Sequence, residues 1–67
     1  MADIAVEYKD PAGQIRTVEH RDVEVRFDRD WCFVQPRYGS ELQLPPHEWI
    51  RVSDLASSEE LSRNPRA

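Results

Sequence analysis

Several short stretches of the chain have an apolar residue at every second position, which is the pattern of β-strands with one buried face. Asp3–Lys9 and Val23–Asp28 show it most cleanly. Turn-forming residues separate such stretches at intervals of about 8–12 residues, which is typical of small antiparallel barrels and sandwiches. At this length we predict an all-β fold, a small antiparallel barrel of five to six strands. The other strands are predicted at Gln14–His20, Trp31–Gln35, Glu41–Leu44 and Ile50–Val52.

The most specific local signal is the turn Asp10-Pro11-Ala12-Gly13. Asp at the first position, Pro at the second and Gly at the fourth fit a type I turn. The sequence therefore predicts a hairpin between the first two strands.

The central stretch Val23–Gln35 predicts a second hairpin, but its register depends on loop length. A three-residue loop, Asp28–Asp30, would place Trp31 and Phe33 in the core. A two- or four-residue loop would instead place both rings on the outer face beside Arg26. The loop lacks glycine, which disfavours a type I′ turn, so we expect the three-residue loop and the buried ring pair. The predicted core is Ile4, Val6, Val25, Phe27, Phe33, Leu42, Leu44 and Ile50.

The segment from Leu44 to Val52 reads as a strand, two prolines, one tight turn and a short closing strand. In this order it resembles the end of Src-homology-3-type small barrels, and the resemblance implies such a barrel here without carrying over functional residues. We assign residues 1–54 to the barrel. Residues 55–67 are expected to form a short flexible tail, with one short helical turn after Ser57 as the alternative.

Composition narrows the function classes. The chain has 13 acidic and nine basic residues, a net charge of −4, which disfavours general binding to a nucleic-acid backbone. There is one cysteine, Cys32, so an internal disulfide is impossible. Neither a signal-peptide pattern nor an apolar run long enough for a membrane span is present. We therefore expect a cytoplasmic protein that does not engage a membrane.

Catalytic and metal-binding patterns are absent from the sequence. His20, His47 and Cys32 stand far apart, without the short ligand spacing of zinc sites. Asp28 and Asp30 are typical of a hairpin tip, and no glycine-rich phosphate loop exists. We expect no enzymatic activity, no cofactor and no metal.

Cationic and aromatic residues concentrate in the central hairpin and the loop after it, and they are the candidate partner-binding residues: Arg26, Arg29, Trp31, Arg37 and Tyr38. Trp49 is either a core plug at the barrel end or an exposed anchor for a partner, so it joins the candidates. The leading hypothesis is a small non-enzymatic binding or regulatory module that engages a protein partner or a second copy of itself. The alternative is a small barrel that binds single-stranded RNA or DNA.

Overall fold

The computed structural model describes residues 1–66, which form one antiparallel sheet of six strands and no helix. The order across the sheet is β4-β3-β2-β1-β5-β6. The strands are β1 (Ala2–Lys9), β2 (Ile15–Asp28), β3 (Trp31–Pro36), β4 (Leu42–Leu44), β5 (Arg51–Asp54) and β6 (Glu60–Arg63). The predicted all-β antiparallel fold is thus confirmed. The sheet is not closed into a continuous hydrogen-bonded barrel, because β4 and β6 remain its two edges within the described residues.

The first hairpin forms as predicted. Gly13 donates its backbone N–H to the carbonyl of Asp10 at 2.9 Å, which is the hydrogen bond of a β-turn. The Asp10 carboxylate accepts the backbone N–H groups of Ala12 and Gln14, each at 2.9 Å. These contacts fix the register in which β1 pairs with the first half of β2.

The segments predicted as a second and a third strand are one strand, β2, which bends near its middle. Asp22 has a φ of 57°, a conformation that Asp tolerates better than most residues. Its backbone N–H is held by the Asp3 carboxylate at 2.8 Å. Residues before the bend pair with β1, residues after it pair with β3, and Val23 pairs with both strands. β2 therefore joins the half of the sheet that contains β1, β5 and β6 to the half that contains β3 and β4.

The register expected for the central hairpin is wrong. Asp28 is paired with Trp31, so the loop has only two residues, Arg29 and Asp30. Our prediction rejected this loop because a type I′ turn needs positive φ at both central positions. Of the two loop residues, only Arg29 has a positive φ, at 57°. One residue in the left-handed conformation is therefore enough to close this loop. Phe27 then pairs with Cys32, and Trp31, which we expected in the core, is 40 % exposed.

The shift of register changes the core. Phe33 is only half-buried and Leu42 is 41 % exposed, so the expectation that both are core residues is wrong. Ile4 and Val6 are buried as predicted, whereas the predicted Ile50 is only partly buried. Three further predicted core residues are partly buried and pack against the core: Val25, Phe27 and Leu44. The remaining buried apolar residues are Val23, Cys32, Val34, Trp49 and Val52.

The predicted flexible tail is also wrong for residues 60–63, which form β6 and pair with β5. The alternative helical turn is not found there either. Asp54 closes the preceding turn, since its carboxylate accepts the backbone N–H of Ser57 at 2.9 Å and its carbonyl accepts that of Ser58. Asn64, 2 % exposed, then anchors the chain, because its side-chain amide donates to the carbonyl of Trp49 at 2.8 Å and to that of Pro46.

The connection between β4 and β5 follows the expected order of strand, prolines and tight turn. The backbone N–H of Glu48 donates to the carbonyl of Pro45 at 2.9 Å. Trp49 follows this turn and is 2 % exposed, so it is a core residue. Its indole N–H donates to the carbonyl of Asp30 at 2.8 Å, which ties the tip of the central hairpin to this connection.

Candidate binding surface

The outer side of the central hairpin carries two aromatic rings and an arginine. Side chains alternate along β3, so Cys32 and Val34 point into the core while Trp31 and Phe33 point outward. Arg26 on β2 is paired with Phe33, and its guanidinium carbon lies 4.3 Å from the centre of the Phe33 ring. This distance is that of a cation–π contact.

Trp31 and Phe33 stack on each other along β3. Their ring centres are 6.0 Å apart and their planes differ by only 12°. Trp31 is nevertheless 40 % exposed. Together with Gln43, which is paired with Phe33 from β4, these residues form what we call the aromatic face: Arg26, Trp31, Phe33 and Gln43.

The shortness of β4 explains why Trp31 remains uncovered. Leu44, the last residue of β4, is paired with Cys32, and Pro45 follows it. No residue of β4 therefore stands opposite Trp31. A shallow depression of about 390 Å³ results, lined by Asp28, Arg29, Trp31, Phe33 and Gln43.

The charges around the aromatic face are more acidic than basic. Arg26 is paired with Glu41 at 3.3 Å. Glu24 and Asp28 alternate with Arg26 on the same side of β2 and take part in none of the ion pairs found within residues 1–66. Arg29, which lies beside Trp31, is likewise in none of them. Within the described residues the surface therefore has two unpaired carboxylates and one unpaired guanidinium, and Arg26 is already neutralised by Glu41.

A second, apolar surface lies on the inner side of β4. Because Leu42 points away from the aromatic face and β4 is an edge, its side chain borders a cleft toward the hairpin of β1 and β2. The cleft has a volume of about 220 Å³, and its lining is Val6, Tyr8, Val18, His20, Leu42 and Leu44. Val18 and Leu42 are both exposed. The edge strand β4 thus separates a polar-aromatic surface from an apolar one.

The structure brings together only some of the predicted candidate residues. Arg26 lies in contact with the stacked rings, and Arg29 and Trp31 line the same depression. Arg37 and Tyr38 follow the opposite end of β3, about 20 Å from Trp31 at the rise of a strand. Arg37 is paired with Asp22 at 3.0 Å, and Tyr38 is 84 % exposed.

One of the two predicted roles of Trp49 is confirmed, and the assignment of Phe33 needs correction. Trp49 is buried, with its ring 5.7 Å from that of Phe27, so it is the core plug and not the exposed anchor. Phe33 belongs to the candidate surface, although the sequence placed it in the core. The signal was present in the unbroken apolar run Trp31–Val34, which requires one pair of side chains to point outward whatever the register.

The residues considered for metal or nucleophile chemistry do not converge. Within residues 1–66 no group of three or more His, Cys, Asp or Glu side chains is placed to hold a metal ion. Burial raises the pKa of the Cys32 thiol to about 11, so the reactive thiolate is scarce at neutral pH. The described residues also contain no helix of the length and apolar character that a membrane span requires.

Comparisons of the chain with protein-family models, with curated proteins and with solved structures give no match. Only the geometry of this chain therefore points to a function.

Proposed function

We propose that the protein is a small non-enzymatic binding module that engages a protein partner through its aromatic face. The observation that carries the proposal is the exposed Trp31, stacked on Phe33 beside an edge strand. Large aromatic residues and arginine are enriched where proteins bind each other. Aromatic rings contribute much contact area at little conformational cost, and arginine offers several hydrogen-bond donors in a fixed geometry. Part of the Trp31 ring remains in contact with water in the folded chain, so a partner that covers it would gain the free energy of burying that apolar surface.

The edge strand gives the same surface a second means of binding. One side of β4 has no strand paired with it within the described residues. Unpaired backbone groups on such an edge accept an added strand from a partner. A second copy of this chain is one such partner, and a different protein is another.

Binding of single-stranded nucleic acid is the second candidate function, and the parallel ring pair beside Arg26 is what favours it, since bases stack on such rings. The charges oppose it. Arg26 is paired with Glu41, which leaves Arg29 as the one arginine of this surface outside the ion pairs of residues 1–66, and the net charge is −4. Phosphate binding depends on uncompensated positive charge. We therefore rank a protein partner first. Cys32 is a buried free thiol, and free thiols persist in reducing compartments. We therefore propose that the protein is cytoplasmic.

The proposal is tested by affinity capture from the cells that make the protein, with and without nuclease. Three tagged chains are compared: the wild type, Trp31→Ala, and Ile15→Ser as a control that removes an exposed apolar residue elsewhere. We expect a protein that the wild type and Ile15→Ser retain after nuclease treatment and that Trp31→Ala loses.

Three outcomes would contradict the proposal. Capture that disappears with nuclease would replace it with nucleic-acid binding. Equal capture by all three chains would show that the aromatic face does not bind the partner. If the wild type captures no protein, the proposed partner does not exist in these cells. Circular dichroism of each variant ensures that the comparison concerns folded chains.

A further inference from the structure

We infer that the partner segment is an extended peptide with alternating basic and apolar residues, which adds to β4 as a seventh strand. This inference rests on the proposed function and names the chemistry of the partner. It follows from three features of β4 and its surroundings: an unguarded edge, an acidic surface on one side and an apolar cleft on the other.

The two edges of the sheet differ in how they are guarded. Natural edge strands usually carry charged residues that prevent unwanted pairing. β6 has such residues, Glu60 and Arg63, and they are paired with each other at 2.9 Å. β4 is Leu42-Gln43-Leu44 and has no charged residue. Of the two edges, β4 is therefore the one open to an added strand.

The outer side of an added strand would face the aromatic face. Trp31 offers an exposed ring, and its cross-strand neighbour Asp28 offers a carboxylate with no ion-pair partner in residues 1–66. A cation is attracted by both groups. The existing contact of Arg26 with Phe33 shows the same chemistry two pairs along the hairpin, at the next pair on the same face.

Distance favours a long basic side chain over a short one. Neighbouring strands lie about 4.8 Å apart, so an added strand beyond β4 lies about 10 Å from β3. Only a side chain of the length of Arg or Lys spans that gap to the ring of Trp31. No residue of β4 blocks the route, because β4 ends before it reaches Trp31.

The inner side of the same added strand would face the apolar cleft. Side chains alternate between the two faces of a strand, so every second residue of the peptide would point toward Leu42 and Val18. Both residues are exposed in the chain alone. A peptide in which apolar and basic residues alternate satisfies both sides at once.

One residue works against this partner and provides a sharp test. Arg29 lines the depression beside Trp31 and Asp28, and its charge repels an incoming cation. Arg29→Ala should therefore strengthen binding of a basic peptide, whereas Asp28→Asn should weaken it.

The test uses labelled synthetic peptides and fluorescence anisotropy with the full chain. The basic peptide TVRVRVT is compared with TVQVQVT, with TVEVEVT, and with TVVRRVT, which keeps the composition and breaks the alternation. We expect TVRVRVT to bind most tightly. Asp28→Asn and Trp31→Ala should each weaken it roughly two- to fivefold, the effect of losing one exposed ion pair or cation–π contact. Ile15→Ser should leave it unchanged, and added salt should reduce the preference.

Backbone pairing is tested with N-methylated versions of TVRVRVT. Alternate amides of an added strand point toward β4, so methylating one set should abolish binding while methylating the other should leave it intact. Equal tolerance of both sets would overturn strand addition. Equal or tighter binding of TVEVEVT or of TVVRRVT would overturn the predicted chemistry.

The failure of this inference can be told from the failure of the proposed function. If none of the peptides binds while a protein is still captured through Trp31, the inference is wrong and the binding module stands. If capture fails as well, both are wrong. Sedimentation as a stable dimer that Leu42→Lys dissociates would also overturn the inference, because a second copy would then occupy the edge.

Discussion

The two tryptophans occupy opposite environments, although both lie near the tip of the central hairpin. Trp49 is 2 % exposed, packs against Phe27 at 5.7 Å and donates its indole N–H to the carbonyl of Asp30 at 2.8 Å. Trp31 is 40 % exposed and stacks on Phe33 outside the sheet. Both rings belong to the region around the tip of the central hairpin.

The difference separates what holds the fold from what is available for binding. Trp49 satisfies its polar N–H and fills the space between the hairpin tip and the connection from β4 to β5, so folding uses the whole side chain. Trp31 keeps 40 % of its surface exposed, and its stacking contact adds about 0.5–1.5 kcal/mol to what its buried part contributes. The exposed part of the Trp31 ring is the part that the proposed partner would bury.

The largest expected effect is that of Trp49→Ala. Truncating a buried aromatic ring costs about 3–5 kcal/mol, which is comparable to the net stability of a domain this small. We expect the variant to be largely unfolded at 25 °C by far-UV circular dichroism, while the matched variant Trp31→Ala remains folded. A cooperative urea transition close to that of the wild type would contradict the role given to Trp49.

Asn64→Ala should have the next largest effect. The Asn64 side chain holds the carbonyls of Pro46 and Trp49, and its own oxygen accepts the backbone N–H of Arg66 at 3.0 Å. Leaving these carbonyls without a donor should cost about 2–3 kcal/mol in urea unfolding.

The control for Asn64→Ala is Arg66→Ala, which removes the exposed ion pair with Asp30. Such pairs contribute about 1 kcal/mol or less. Equal stability losses in the two variants would mean that Asn64 does not anchor the end of the chain beneath Trp49.

Local turn chemistry accounts for the part of the fold that the sequence predicts well. The turn at Asp10 is specified by Pro11, Gly13 and the Asp10 side chain itself, so it needs no information from elsewhere. The alternation in β1 is likewise a local property, and Ile4 and Val6 are buried as expected. The class of fold follows from such signals.

The mispredicted features all depend on distant contacts. The two-residue loop at Arg29 is held by Trp49, which is 19 residues away and donates to Asp30. β6 is held in place by Asn64, whose side-chain amide donates to the carbonyls of Pro46 and Trp49 in the connection before β5. No local sequence pattern predicts this contact. The sequence predicts the candidate surface only for the disfavoured register of the central hairpin. A one-residue change of loop length moves Trp31 and Phe33 from the core to the outer face.

Cys32 lies on the inner face of β3, and Trp31 lies on its outer face. The burial of Cys32 predicts that the stability of the fold depends on pH. The pKa of its thiol is raised to about 11 from an ordinary value of 9.0, because burial disfavours the thiolate. The unfolded chain loses the thiol proton at lower pH than the folded chain, so this thiol's contribution is intact below pH 9 and is lost between pH 9 and about 11. At pH 10 the loss should be about 1 kcal/mol.

The measurement for Cys32 is urea unfolding at pH 8 and pH 10, with Cys32→Ala as the control. The control is less stable at both pH values but lacks the thiol, so its decline from pH 8 to pH 10 should be about 1 kcal/mol smaller than that of the wild type. Identical declines would show that Cys32 is not shielded beneath the aromatic face.

The smallest expected effect on stability is that of Trp31→Phe, less than about 0.5 kcal/mol, because the site is exposed and the replacement still stacks. The variant leaves Trp49 as the only tryptophan, and its fluorescence should be blue-shifted and resistant to quenching by acrylamide. Trp49→Phe leaves Trp31, whose emission should lie at longer wavelength and be quenched readily. Acrylamide is preferred to iodide because it is neutral and does not respond to Arg26 or Asp28. Equal quenching of the two single-tryptophan chains, both shown to be folded by circular dichroism, would remove the difference on which the proposed binding surface depends.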